Sequence, residues 1–311
     1  MWIAGIIIPA LAAVPRPDAL VAAARATAGP FATLAVIIVA AALAARIGVF
    51  GVLARALIPG RGSAAFSAAA VLAFTALLSG LVNLDVAVVV AMPAALVAAH
   101  RQGLAAGRLA VAVALTANAT SFLLPTSNIT TLLLLASRPL PAGYITSSWL
   151  PWLLVTAVTI IPLAAWTAHG TAGQARPVTA GPSARAAMDL VPMFGAASGI
   201  RALLGTGLVL HGSLTAQLAQ GTALAATVSN LPVAAALTPH GMTGLWAAVL
   251  AAAIGPNLLL TGSVATLISR RIAIGGGTRL SAAQFSMAGL VLIPAQLAAA
   301  VLGLHLTGAL G

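Results

Sequence analysis

Asn83 and Asp85 stand two positions apart with apolar residues on both sides, and Asp85 is the one acid near the middle of an apolar run. An ionisable side chain at membrane depth costs roughly 2.5–3.5 kcal/mol on insertion scales, which marks it for a functional role. A carboxylate that changes protonation as the protein opens to each side would couple movement to a proton. The structural alternative is that Asp85 caps the half-helix that follows, accepting the N–H groups of Val86–Val88. The two roles can coexist.

Three further polar interruptions share this character. Pro125, Thr126, Ser127 and Asn128 break one apolar run; proline removes a backbone donor and frees carbonyls of the preceding turn. A simple kink accounts for Pro125 alone, not for the three polar residues after it. Ser229, Asn230 and Pro232 form a third break. Gly255, Pro256, Asn257, Thr261, Gly262, Ser263 and Thr266 surround the fourth. Together the four supply amide, hydroxyl and backbone groups suited to a small polar solute or a hard cation. The candidate binding residues are Asn83, Asp85, Thr126, Ser127, Asn128, Ser229, Asn230, Asn257, Thr261, Gly262 and Ser263, with Asp85 as the proton-coupling group.

The elements that hold these breaks must lie in a bilayer. Of 311 residues, 61% are hydrophobic and 5% charged, and the mean hydropathy is +1.11. A soluble domain carries about a quarter charged residues. The three acids are Asp18, Asp85 and Asp189, and there are fourteen arginines and no lysine. The apolar runs are long, rich in Ala and Leu and without strand alternation, so the fold expected is an all-α polytopic membrane protein. A span needs about 20 residues; several runs are shorter and pair across one polar break, the sequence mark of interrupted helices at a transporter's binding site.

The breaks also recur. Val82-Asn83-Leu84-Asp85-Val86-Ala87 aligns with Ser229-Asn230-Leu231-Pro232-Val233-Ala234, and the stretch 123–132 aligns in the same order with 258–267. The expected architecture is an inverted repeat with two helical hairpins and two broken transmembrane helices. Residues 1–30 form an N-terminal span and loop, 31–167 the first repeat, 168–187 a cytoplasmic linker and 188–311 the second repeat. In this scheme loops 55–62, 100–108, 168–187 and 269–281 share one side and hold nine arginines, among them Arg55, Arg61, Arg176 and Arg185. Loops 15–30, 137–146, 205–212 and 239–244 hold Arg16, Arg25 and Arg138. The positive-inside rule makes the first set cytoplasmic.

The net charge of +11 is scattered between apolar runs, as loop arginines are, so no nucleic-acid partner is expected. Without cysteine there is no disulfide or thiolate metal site. No zinc helix, phosphate-binding loop or nucleophile elbow is present, so neither an enzyme, a cofactor nor a metal is expected, and transport would draw on an ion gradient. The five histidines lie at span ends and fit interfacial anchors. Trp149, Trp152 and Trp166 fit an aromatic belt. Arg46 either snorkels or pairs with Asp85. Segment 188–204, with Asp189, Pro192 and Arg201, is a poor lipid-facing span and fits an interfacial helix or one shielded by a partner.

The motifs resemble those of the ion transporter superfamily, and within it the arsenite efflux permeases. Asp85 with Pro93, the stretch Ala117-Asn118-Ala119-Thr120-Ser121 through Leu124-Pro125-Thr126-Ser127-Asn128-Ile129-Thr130, Ser229-Asn230-Leu231-Pro232, and Gly255-Pro256-Asn257 through Gly262-Ser263-Val264-Ala265-Thr266-Leu267 carry the likeness. Leu84 separates Asn83 from Asp85 where many members have the two adjacent, and Ser229 replaces an Asn. The resemblance implies a multi-pass permease of the inner, cytoplasmic membrane that exports arsenite or antimonite in exchange for protons. The chain is shorter than the usual member, which suggests a homodimer. The alternatives are a dicarboxylate, citrate or sodium–proton permease of the same superfamily, or a membrane scaffold that transports nothing.

Overall fold

A computed structural model of the chain describes residues 2–49, 52, 62–135, 140, 141, 143–169, 190–204 and 207–310. Arg55, Arg61, Arg138, Arg176, Arg185 and Asp189, with nearly all of the 168–187 linker, lie outside the described residues. Among those described, the chain forms thirteen α-helices and two 3-10 turns and no strand. They are α1 (Trp2–Ala13), α2 (Pro17–Arg46), α3 (Ala64–Leu81), α4 (Leu84–Gln102), α5 (Ala106–Ala119), the turn Pro125–Ser127, α6 (Ile129–Leu135), α7 (Tyr144–Ala168) and α8 (Leu190–Leu204). Then follow α9 (Leu214–Val228), α10 (Asn230–Ala236), α11 (Gly241–Ile254), the turn Gly255–Leu258, α12 (Val264–Gly275) and α13 (Ala282–Leu306). Among the described residues five helices are long and apolar enough to cross a membrane: α3, α4, α7, α11 with its 3-10 extension, and α13.

Local chemistry explains the helix ends. Ser63, Ser213 and Ser281 each accept a backbone N–H from three residues on, capping α3, α9 and α13. Gly103 closes α4 in the left-handed conformation at φ 64°, which glycine adopts without steric cost. Pro93, Pro151, Pro162 and Pro294 sit inside long helices; membrane helices tolerate such prolines because neighbours re-satisfy the freed carbonyls.

The expected loop at 15–30 is helical instead. Pro17 stands at the first helical position, where its missing N–H costs nothing. Asp18 follows in the first turn, where the helix dipole favours a carboxylate. Helix α8, an unpromising span by composition, is shielded by the chain's own N-terminus. A Cβ on Gly199 would lie 2.7 Å from the backbone nitrogen of Pro9. Thr27 and Ser198 share a buried hydrogen bond of 2.9 Å, and Phe31 meets Phe194 edge-on at 5.3 Å.

From α3 onward the element order is the same in each half: helix, break, helix, then a helix, 3-10 turn and shorter helix, then a closing helix. Packing between the halves is reciprocal. Helix α12 lies against α4 and α5, and α6 lies against α10 and α11. The closing helices α7 and α13 run antiparallel. Ser147 O accepts from Thr307 Oγ1 at 3.4 Å, Pro151 abuts Gly303, and Thr159 Oγ1 accepts from Gln296 Nε2 at 2.9 Å.

The Gly303 contact is the tightest of these, since an added Cβ would come within 2.6 Å of Pro151 backbone atoms. Gly303→Ala is expected to destabilise by about 1–3 kcal/mol through overpacking. It should lower the thermal unfolding midpoint in detergent, whereas Leu302→Ala on the exposed face of the same helix should leave it nearly unchanged.

Candidate functional site

Each half is interrupted twice, and each interruption is held by side-chain amides or hydroxyls. At the first, Val82 N and Asn83 N both donate to Leu78 O at 3.0 Å, after which the chain extends. Asn83 Oδ1 accepts from Asp85 N at 2.9 Å, and Asn83 Nδ2 donates to Thr126 O at 3.0 Å. One amide thus caps α4 and ties the first break of this half to its second. The capping role expected for Asp85 belongs to Asn83, because the short Asn side chain at the extended N-cap position reaches the free N–H. Asp85, buried in the first turn, is left with no donor or cation against its carboxylate among the described residues. Arg46 does not pair with it; that side chain is exposed at the end of α2.

The second break is longer than the sequence suggests, running from Thr120 to Asn128. Three of its carbonyls are received by one face of α7. Trp152 Nε1 donates to Thr120 O at 2.9 Å, Tyr144 Oη to Phe122 O at 3.0 Å, and Ser148 Oγ to Leu123 O at 2.8 Å. Positions 144, 148 and 152 are four residues apart and so share one helix face. Trp152 is therefore a donor to the core and not part of an aromatic belt. Trp149 is half-exposed, and Trp166 lies under Arg108. Ser127 closes the 3-10 turn, donating through N and Oγ to Leu124 O. Asn128 repeats the device of Asn83: its Oδ1 accepts from Thr130 N at 3.0 Å. Its Nδ2 donates to Ser121 Oγ at 2.9 Å, and Ser121 Oγ donates to Asn118 O at 2.8 Å.

The second half reaches the same end by different means. Ser229 is held at φ +92°, the one positive-φ residue other than glycine among those described, a conformation that costs about 1–3 kcal/mol. Asn230 N donates to Gly262 O at 2.9 Å and its Nδ2 to Ala252 O at 3.2 Å, so the two breaks of this half are also joined. Gly262 is required by closeness: a Cβ there would lie 2.8 Å from Pro256 Cα and O. A Cβ on Gly289 of α13 would overlap the Asn257 carbonyl, so α13 presses directly on this turn.

The halves meet at two asparagines. Asn118 Nδ2 donates to Asn257 Oδ1 at 3.0 Å and to Thr266 Oγ1 at 2.9 Å, while Asn257 Nδ2 donates to Leu115 O at 3.1 Å. Asn83, Ser127, Asn128, Asn230, Asn257 and Ser263 are all buried. Thr126 supplies its carbonyl to Asn83. Ser229 and Thr126 are half-buried and Thr261 is exposed, and none of their side chains enters the Asn118–Asn257 joint. Ser263 opens α12 without a side-chain cap. Asn118, Ser121, Tyr144 and Ser148 take part although only their motif context, or nothing, marked them; Asn118 and Ser121 at i, i+3 in an apolar run were the available signal. The side-chain oxygens of Asn118, Thr116 and Thr130 are buried and unpaired. Buried polar atoms are seldom left so.

The breaks of this α-helical membrane protein are held by neutral donors and acceptors, and the carboxylate at the first of them, Asp85, has no partner among the described residues. Comparison with known protein families, curated proteins and solved structures finds no match to this chain. Ser148 offers a clean test of how the break is held. Ser148→Ala strips the buried Leu123 carbonyl of its donor and should cost about 1–3 kcal/mol in urea or thermal unfolding. Thr146→Ala, on the exposed side of the same turn, should cost much less.

Proposed function

We propose that the chain is a secondary transporter of the inner membrane, built as an inverted repeat, which exchanges a small neutral hydroxylated solute such as arsenite or antimonite for a proton. The observation that carries this reading is the set of four breaks held by buried amides and hydroxyls, two of them joined across the halves by Asn118 and Asn257, together with a buried Asp85 whose carboxylate meets no donor or cation among the described residues. Interrupted helices paired across two halves are the arrangement in which transporters hold solutes at the bilayer midplane. The antiparallel closing helices and the reciprocal packing of α12 and α6 support the inverted relation.

The charge balance bears on the substrate. Arg201 is committed to Ala235 O at 2.9 Å, Arg108 to Trp166 O at 3.1 Å, and Arg46 is exposed. Among the described residues none of these three arginines is bonded at the Asn118–Asn257 joint, and Asp85 would repel a carboxylate. A neutral trihydroxy acid needs only hydrogen bonds, of the kind that the amides and hydroxyls at the breaks donate and accept. An Asp85 free of competing donors can hold the exchanged proton on one side and release it on the other.

Everted vesicles carrying the full chain, energised by a proton gradient, should accumulate arsenite. An uncoupler should abolish the uptake, and Asp85→Asn should leave less than a tenth of it. Uptake of citrate, a dicarboxylate or sodium in place of arsenite would contradict the assignment, and so would full arsenite uptake by Asp85→Asn.

A further inference from the structure

Two loops some 170 residues apart in the chain meet at one end of the molecule. The turn between α4 and α5 lies against the loop between α12 and α13, so that a Cβ on Gly107 would sit 3.2 Å from Arg279 O. Leu104, Ala106 and Leu109 share a buried cluster with Ala273 and Leu280. Thr278 N donates to Ala273 O at 2.9 Å, folding the second loop back onto the end of α12. The junction is built, with a packed base and a fixed backbone.

The meeting concentrates positive charge. Arg101 lies in the last turn of α4, Arg279 in the loop between α12 and α13, and Arg270 and Arg271 in the second half of α12, and all four are exposed. Arg108 is held at its margin, 5.3 Å over the Trp166 ring and bonded to Trp166 O. Opposing charge is lacking among the described residues: Asp18 lies in the first turn of α2, and Asp85 lies at the far end of α4 from Arg101. Like charges gathered this way repel one another, and a membrane surface can relieve that repulsion. Anionic headgroups attract surface arginines, and basic recesses between membrane helices hold such headgroups.

We propose that this junction binds the headgroup of an anionic phospholipid, which bridges arginines of the first and second halves. The inference is independent of the transport reading. Because α12 carries Arg270 and Arg271 near its end and begins at Ser263 beside the polar joint, the lipid would anchor the helix that bears part of the site.

The test is thermal unfolding of the full-length, delipidated protein in detergent, with phosphatidylglycerol or phosphatidylcholine added at equal mole fraction. Phosphatidylglycerol should raise the midpoint by several degrees more than phosphatidylcholine. That difference should vanish in R101Q/R270Q/R279Q and persist in R16Q/R25Q, which alters arginines outside the junction. Equal shifts with both lipids, or an undiminished shift in the triple variant, would overturn the proposal. Inorganic phosphate reproducing the shift would also overturn it, by showing a phosphate site and no lipid surface. Should the triple variant fail to fold, native mass spectrometry of the unmodified chain from mixed lipid decides: retained phosphatidylglycerol in excess supports the proposal, and retention in the bulk ratio refutes it.

Discussion

Backbone polar groups freed inside a bilayer must find partners within the protein, because hydrocarbon offers none. Most of the architecture described here answers that requirement at the interrupted helices. In the first half the carbonyls of residues 120, 122 and 123 are received by a stripe of three donors on α7. Asn83 and Asn128 supply the N–H acceptors that open α4 and α6. Among the described residues the second half shows no such stripe. Its turn at 255–258 is held by Asn257 bonding across to the first half, and by glycines at 262 and 289 that let backbone approach backbone. The halves are alike in element order and unlike in how each break is stabilised.

That difference has a mechanical consequence. The first-half break is fastened to its own closing helix through three side chains, whereas the second-half break is fastened to its opposite number through the Asn118–Asn257 pair. The strained backbone of Ser229 lies on the same, second side. Motion that opens the joint is therefore expected to fall on α9–α10 and α12, with α5 and α7 as the fixed frame. Strain is retained where surrounding contacts over-determine it. Here the Asn230–Gly262 bond and the hold of Arg201 on Ala235 O supply those contacts.

Much of this frame was legible in the chain. Hydrophobic runs broken by Asn, Pro and Ser place α3–α4, α5–α6 and α9 to α12 close to where they lie, and Ala282–Leu306 coincides with its apolar run. The failures have physical causes. Residues 15–30 look like a loop because Pro17, Asp18 and Pro30 are counted as breakers, yet the first two are helix starters in context. Asp85 attracts attention as an acid and so takes the capping role that the more modest Asn83 fills. Trp152 cannot be told from a lipid-facing belt residue until its neighbour, the Thr120 carbonyl at the end of α5, is known. The Asn118–Asn257 bond joins residues 139 positions apart, and no local pattern encodes it. Arg201, costly in a lipid-facing helix, makes sense once α8 is seen to lie against α10.

The central claim is that the two asparagines act as one unit holding the halves together, and a double-mutant cycle tests it most directly. Asn118→Ala, Asn257→Ala and the double variant would be compared by reversible unfolding in mixed micelles. A shared hydrogen bond predicts non-additive losses, with a coupling energy of about 1 kcal/mol or more between the positions. Strictly additive losses would mean that the pair does not interact in the folded protein, and the joint as described would be wrong.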